Sequence, residues 1–221
     1  MKQHFQETLE QLKKSIALMG GRIEEAVQNG VTALWERDAA LAAEVIAGDQ
    51  DIDRMEMDIE QRCLKLLATQ QPFAQDLRFV TAVLRINTDL ERMGDLAANI
   101  AREARRMLKF PAFYPPLDFD EIISVVRKMV RESLEALLNG DTKLARAVCR
   151  EDDTVDALDR AISEELIGMM KDDPGCVDAA TQLLLAVRHL ERIADLATNI
   201  AEEVVFMAEG RSIKHHAEEA K

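Results

Sequence analysis

The chain has 221 residues, of which 41 are acidic and 28 basic, and its formal charge is −13. A chain of this length can bury a substantial core, either as one domain or as two of about 100 residues. The negative charge disfavours binding to nucleic acid or directly to an anionic membrane, and it favours cations as ligands. Because the sequence contains no signal-peptide core and no apolar run of about 18 residues, we expect a soluble, cytoplasmic protein.

Helices are predicted throughout the first half of the chain. Prolines at positions 72, 111, 115, 116 and 174 mark where long helices end. Between these prolines, apolar residues recur at three- and four-residue spacing, as on one face of a helix. Asp38 is a suitable N-cap for the second helix. The first half therefore contains three predicted helices, at His4 to Glu36, Asp38 to Ala68 and Phe73 to Lys109.

Two features interrupt this helical pattern. Gly20 and Gly21 lie in the middle of the first predicted helix, where they predict a local bend or a close contact with another helix. The segment "KFPAFYPPLDFDE", from Lys109 to Glu121, is rich in proline and aromatic residues. We interpret it as a packed linker in preference to a polyproline ligand motif.

The three-helix plan recurs after the linker. Its helices are predicted at Asp118 to Asn139, Asp141 to Lys171 and Cys176 to Glu209, with Asp141 as an N-cap. The second helices align at an offset of 103 residues and the third helices at an offset of 100. We therefore predict an all-α fold of two pseudo-symmetric antiparallel three-helix bundles, with six long helices, an elongated shape and no strand. The predicted boundaries are 1–110 for the first repeat, 111–120 for the linker, 121–210 for the second repeat and 211–221 for a polar tail.

The repeated phrases are acidic. "LERMGDLAANIA" begins at Leu90 and "LERIADLATNIA" at Leu190, and in each phrase a glutamate, an aspartate and an asparagine are spaced four residues apart on one side of the helix. The second helix of each half carries a matching acidic pair, which lies within "GDQDID" in the first half and "EDDTVD" in the second.

Distance from the turn predicts that these motifs meet. Asp53 lies nineteen residues before Pro72 and Glu91 nineteen after it, while Asp156 lies eighteen before Pro174 and Glu191 seventeen after it. Equal distances from the turn of an antiparallel hairpin mean equal height. The predicted site residues are Asp49, Asp53, Glu91, Asp95 and Asn99 in the first half, and Asp152, Asp156, Glu191, Asp195 and Asn199 in the second.

Four carboxylates at one place repel one another unless a cation compensates. Carboxylate and amide oxygens form a hard ligand set that suits magnesium, calcium, manganese or iron. We therefore predict divalent or trivalent metal ions as cofactors, with Fe, Mn, Mg and Zn as candidates to test. The alternative is that these charges simply keep the helices soluble. The cysteines Cys63, Cys149 and Cys176 contain no CxxC pair, and the histidines His4, His189, His215 and His216 do not repeat, so neither residue type is a predicted ligand.

These motifs resemble the PhoU family of phosphate-transport and phosphate-signalling regulators. The resemblance covers nearly the whole chain and includes "QPFAQDLRFV" together with both acidic phrases. It implies six helices in two pseudo-symmetric bundles, with metal ions or clusters bound by E/DxxxD motifs. It also implies a cytoplasmic negative regulator that links the phosphate ABC transporter ATPase to the sensor histidine kinase of the phosphate regulon. A homodimer, and membrane association only through these partners, are further expectations.

One departure from the repeat and two competing functions remain. "DLR", from Asp76 to Arg78, has no copy in the second half, so any role is confined to one half or is helix capping. A metal-free helical adaptor or scaffold is the first alternative function. A di-metal carboxylate enzyme is the second, but such enzymes use a Glu-x-x-His motif that this sequence lacks. No nucleophile, triad or glycine-rich phosphate loop is evident either, so we predict a protein that is not an enzyme.

Overall fold

The protein is described by a computed structural model that covers residues 2–115, 117 and 119–210. These residues form six α-helices, a short 3₁₀ turn at Pro174–Cys176 and no strand, which confirms the all-α prediction. The predicted start of the fourth helix at Asp118 and the predicted tail at 211–221 lie outside the described residues. The helices are α1 (Lys2–Trp35), α2 (Ala39–Gln70), α3 (Gln75–Met107), α4 (Phe119–Asn139), α5 (Thr142–Asp172) and α6 (Val177–Glu209).

Aspartate caps begin the second helix of each half, as predicted. The carboxylate of Asp38 accepts hydrogen bonds from the backbone N–H groups of Ala40 and Leu41, at 2.8 and 3.0 Å. Asp141 accepts from Lys143 and Leu144 at 2.9 and 3.0 Å. Each cap satisfies N–H groups that have no partner within the helix.

The third helix begins two residues later than predicted, at Gln75 instead of Phe73. Gln71 and Ala74 both have positive φ angles, of 45° and 46°, so the chain turns before the helix starts. The side chain of Phe73 lies at this turn and is 86% exposed. Asp76 lies in the first turn of α3, but it is not the N-cap.

The two halves pack against each other through α3 with α6 and α1 with α4. Within each half, the three helices contact one another in the predicted antiparallel manner, and the buried apolar residues of both halves form one continuous cluster. α3 and α6 run antiparallel, because Arg78 near the start of α3 donates from Nε to the carbonyl oxygen of Met207 near the end of α6, at 3.1 Å. Each of these helices has 33 residues and is therefore about 50 Å long.

Arg78 and Arg85 of α3 both bind α6. Arg85 contributes a guanidinium that contacts both carboxylate oxygens of Glu203, at 3.1 and 3.2 Å, and Glu203 is buried. The positions equivalent to Arg78 and Arg85 are Asp178 and Leu185. The role of the unrepeated "DLR" segment in this fold is thus to join the halves, and it is confined to one repeat.

The glycine pair in α1 has two different environments. A Cβ at Gly20 would collide with the side chain of Leu134 in α4, whereas a Cβ at Gly21 would meet no atom within 4 Å. α1 continues through both residues. Gly20 therefore provides the predicted close helix contact, while Gly21 is merely tolerated.

This difference predicts opposite responses to alanine. Gly21→Ala is expected to raise the free energy of unfolding by about 0.5–1 kcal/mol, because alanine favours the helix and has space. Gly20→Ala is expected to show no such gain, since the new methyl group must displace Leu134 from the core. Urea denaturation of the two variants measures this difference, and an equal gain for both would contradict the close contact.

Candidate metal centre

The first acidic cluster consists of Asp49, Asp53, Glu91 and Asp95, and α2 and α3 bring its members together. Burial and the neighbouring charges of Asp95 and Asp53 raise the pKa of Asp49. Burial likewise raises the pKa of Glu91, followed by the charges of Asp95 and Asp53. These mutual effects place the four carboxylates in one neighbourhood, as their equal heights predict.

Arg102 is an internal counter-cation of this cluster. Its guanidinium lies 3.6 Å from the carboxylate of Asp49, whose side chain is only 14% exposed. The same guanidinium donates to Oδ1 of Asn99 at 2.6 Å. The Arg102 charge opposes the upward shift in the pKa of Asp49. Asn99 is therefore engaged with arginine in this structure.

The second acidic cluster consists of Asp152, Asp156, Glu191 and Asp195, on α5 and α6. The pKa of Asp152 is raised from 3.8 to about 6, mainly by burial and then by the charges of Asp195 and Asp156. The hydroxyl of Thr198 beside Asp152 acts in the opposite direction. The position equivalent to Arg102 is occupied by Glu202. No arginine therefore acts on Asp152 as Arg102 acts on Asp49, although Arg188 opposes the rise in the pKa of Glu191 and Arg192 opposes that of Asp195.

The pKa values of Glu191 and Asp195 are raised, as is that of Asp152. Burial raises the pKa of each, and nearby carboxylates raise it further, among them Asp195 for Glu191 and Asp156 for Asp195. In the absence of a bound cation, the second cluster thus combines partial desolvation with like-charge repulsion.

Sequence reasoning missed two further carboxylates, Glu56 and Asp159, which adjoin the clusters. Glu56 is among the charges that raise the pKa of Glu91, and Asp159 does the same for Glu191. Asp159 is 6% exposed and forms an ion pair with Arg188 at 2.7 Å. Comparison of the two repeats could have identified them, because Glu56 and Asp159 occupy equivalent positions at the offset of 103 residues.

A cleft between α3 and α6 joins the two phrases. It has a volume of about 410 Å³ and is lined by the same four residues of each phrase. These are Arg92, Asp95, Leu96 and Asn99 from α3, and Arg192, Asp195, Leu196 and Asn199 from α6. The antiparallel packing of the two helices brings the phrases side by side, so the two clusters flank one cleft.

The donor set suits a hard metal ion in its chemistry. Carboxylate and amide oxygens are the ligands that Mg²⁺, Mn²⁺ and iron prefer, and the raised pKa values indicate a need for positive charge. Within the described residues, however, no three histidine, cysteine, aspartate or glutamate side chains lie close enough to hold one ion. Side-chain rotation would have to accompany binding. Burial lowers the pKa of His189, and the neighbouring charges that act on it are those of Glu103, Arg192 and Arg106, with no cluster carboxylate among them.

A model of the PhoU domain matches residues 16–104 and 119–204, one match in each repeat. The chain belongs to the PhoU family. It is 39% identical over 207 residues to a phosphate-specific transport system accessory protein PhoU homolog from Aquifex aeolicus, and the match covers 94% of each chain. A homolog of the same name from Pseudomonas putida is 37% identical over 216 residues, which are 96% of this chain and 84% of that protein.

Solved PhoU structures share this fold. The crystal structure of PhoU from Pseudomonas aeruginosa superposes with a TM-score of 0.88 at 37% identity, over 94% of this chain and all of that one. The phosphate transport system regulatory protein PhoU from Streptococcus pneumoniae gives the same TM-score at 30% identity, over 95% of this chain and 99% of that one. The helices described here include none that is both long and apolar enough to cross a bilayer.

Proposed function

We propose that this PhoU-family chain is a non-enzymatic, cytoplasmic negative regulator of phosphate uptake and of phosphate-regulon signalling. It acts by contact, coupling the phosphate transporter ATPase to the phosphate-sensing histidine kinase. The observation that carries this proposal is the match to accessory and regulatory proteins of the phosphate transport system along 94% of the chain. The partners, the negative sign of the regulation and the homodimer are parts of the proposal.

The proposal includes metal binding at the two acidic clusters. Asp49, Asp53, Glu91 and Asp95 would hold an ion in the first repeat, and Asp152, Asp156, Glu191 and Asp195 would do so in the second. Asn99 and Asn199 would add amide oxygens. A bound ion would neutralise the mutual repulsion that raises the carboxylate pKa values.

Metal binding is expected to raise the melting temperature. Protein stripped by chelator and then dialysed would be mixed separately with Mg²⁺, Mn²⁺, Fe²⁺ and Zn²⁺, and unfolding followed by differential scanning fluorimetry. A ligand at 100 times its dissociation constant stabilises by about 2.7 kcal/mol, which is readily measured as a shift. Asp95→Asn combined with Asp195→Asn is expected to abolish the shift. Glu165→Gln, an exposed charge on α5 outside the clusters, is the control and is expected to retain it.

An unchanged melting temperature with all four metals would remove the metal from the proposal. It would favour the metal-free adaptor, an alternative supported by the lack of three ligands in place for one ion among the described residues. Regulation by contact would still stand.

The contact itself is tested by a pull-down. The chain is expected to retain the transporter ATPase and the histidine kinase of the same organism, with a difference between high and low phosphate. Repeating the experiment with chelator shows whether metal controls the contact. Tyr114 in the connection is 58% exposed and packs its ring edge against Trp35, so Tyr114→Ala tests the linker as a docking surface. Failure to retain either protein under any condition would refute the adaptor function.

A further inference from the structure

A second charged pocket lies where α1 meets α4, away from the cleft between α3 and α6. It is open to solvent and has a volume of about 420 Å³. Six of its lining side chains are polar or charged, namely Gln28, Asp120, Ser124, Arg127, Lys128 and Arg131. Three cations against one acid is the reverse of the charge balance of the whole chain, which is −13.

The two arginines of this pocket form no ion pair with any residue that the structure describes. Lys128 forms an ion pair with Glu151 at 2.7 Å, and its charge is thereby compensated. Arg127 and Arg131 lie one helical turn apart on α4, and neither has a carboxylate within 4.0 Å in the described part of the chain. Glu24 of α1 is near enough for both arginine charges to lower its pKa, but burial outweighs them and the net shift is upward. Two guanidinium groups therefore line the same pocket, with Glu24 acting on them only at longer range.

Neutral polar side chains also line the same pocket. The Ser124 hydroxyl is exposed there. Gln28 donates from Nε2 to the Thr32 hydroxyl at 3.0 Å, while its buried Oε1 accepts no hydrogen bond. Rotating the Gln28 amide by 180° would let its Oε1 accept a hydrogen bond from the Thr32 hydroxyl. An N–H donor would then replace the oxygen that has no partner. Because that position is fully buried, it is closed to a ligand in the open pocket, and the neutral donor available to a ligand is the Ser124 hydroxyl.

The fold itself does not require cations at these positions. The offset of 103 residues relates Arg131 to Gln28, Arg127 to Glu24 and Lys128 to Glu25. At these positions, the equivalent helix of the first repeat therefore has two acidic side chains and one amide side chain. Nor do the arginines join the repeats by direct ion pairs among the described residues, since Glu24 of α1 interacts with them only through its charge at longer range. A structural role thus leaves Arg127 and Arg131 unexplained.

We propose that the pocket between α1 and α4 binds a phosphate-class oxyanion through Arg127 and Arg131. Guanidinium groups bind tetrahedral and planar oxyanions through parallel N–H···O bonds, and pairs of this kind are stronger than neutral hydrogen bonds. Ser124 supplies a neutral hydroxyl donor beside them, whereas the charge of Lys128 is already compensated by Glu151. The phosphate group belongs either to free inorganic phosphate or to an anionic lipid headgroup.

The test uses the full chain after chelator treatment and dialysis, so that its outcome does not depend on metal binding. Isothermal titration with inorganic phosphate is expected to show saturable binding near one site per chain. Arg127→Ala combined with Arg131→Ala is expected to weaken binding about tenfold or more. The control combines Arg105→Ala with Arg160→Ala, which removes the same charge from two exposed positions elsewhere. It is expected to leave the affinity within about twofold.

A parallel arm distinguishes the two sources of phosphate. Sedimentation with phosphatidylglycerol vesicles, compared with phosphatidylcholine vesicles, detects headgroup binding. Binding to either free phosphate or the anionic vesicles, lost in the pocket variant and kept in the control, supports the proposal and names the source. Absence of both, or equal loss in pocket and control variants, overturns it. Should the double variant fail to fold, as judged by circular dichroism, Arg131→Gln alone is expected to show the same direction of change.

Discussion

Arg85→Ala is expected to lower the free energy of unfolding by about 2–3 kcal/mol. The guanidinium of Arg85 forms an ion pair with the carboxylate of Glu203 across the boundary between the repeats. The Glu203 side chain is only 3% exposed. Removing one member of a buried charged pair leaves the other desolvated, and this costs more than the net contribution of the intact pair. The expected loss is smaller than for a pair whose members are both buried, because Arg85 itself is largely exposed. Urea denaturation followed by circular dichroism measures the change.

Two comparisons isolate this contact. Arg105→Ala removes an exposed arginine from the same helix and is expected to change stability by less than about 0.5 kcal/mol. Adding Glu203→Gln to Arg85→Ala is expected to recover part of the loss, because the unpaired charge is then gone. A loss from Arg85→Ala no larger than that from Arg105→Ala would mean that Glu203 is adequately bound by its other partners.

The same contact positions the candidate metal centre. Arg78 and Arg85 bind α6 in the antiparallel register that the apolar packing of α3 against α6 also adopts. That register sets Asp95 beside Asp195 across the shared cleft. In the first repeat, Glu103 is bound instead by Arg106 of its own helix, at 2.6 and 2.8 Å. The two repeats therefore contribute unequally to the interface, despite their similar backbones.

The helices and the convergence of the acids could be predicted from the sequence. Proline positions and apolar spacing are local signals, and equal distance from a turn determines height in an antiparallel hairpin. The contacts of long side chains could not be predicted in this way. Arg102 reaches Asp49 on another helix, and Arg188 reaches Asp159, because arginine spans more than one turn and its rotamer depends on the packed surroundings.

The two repeated phrases differ at some apolar positions, and packing between helices explains the difference. A Cβ at Gly94 would come within 2.9 Å of Ile52, so glycine makes room for isoleucine. In the second repeat the equivalent positions hold Ala194 and Val155. One methyl group is thus added on α6 where one is removed on α5. Such volume compensation keeps the core filled, but only the structure shows that these residues face each other.

The substitution Asp152→Asn is expected to change the free energy of unfolding in a pH-dependent way, and in opposite directions without and with bound metal. The pKa of Asp152 is about 6 in the folded chain against 3.8 in the unfolded chain. Between about pH 4 and pH 6 the folded chain therefore holds more of this proton, so stability falls as pH rises through that range. Asp152→Asn removes the penalty and is expected to stabilise metal-free protein at pH 7 by about 1–2 kcal/mol, allowing for solvent screening, and to have no effect below pH 4.

Asp49→Asn is the matched control in the other repeat. Because Arg102 offsets part of the upward shift in the pKa of Asp49, removing that carboxylate is expected to give a smaller gain at pH 7 than Asp152→Asn gives. Thermal and urea unfolding of both variants across pH 4–8, at low salt and after chelator treatment, measures the difference. With saturating metal the sign for Asp152→Asn is expected to reverse, since the variant loses a ligand. Destabilisation by Asp152→Asn in metal-free protein at pH 7 would contradict this account, because it would show that the charged carboxylate is already stabilised by the fold.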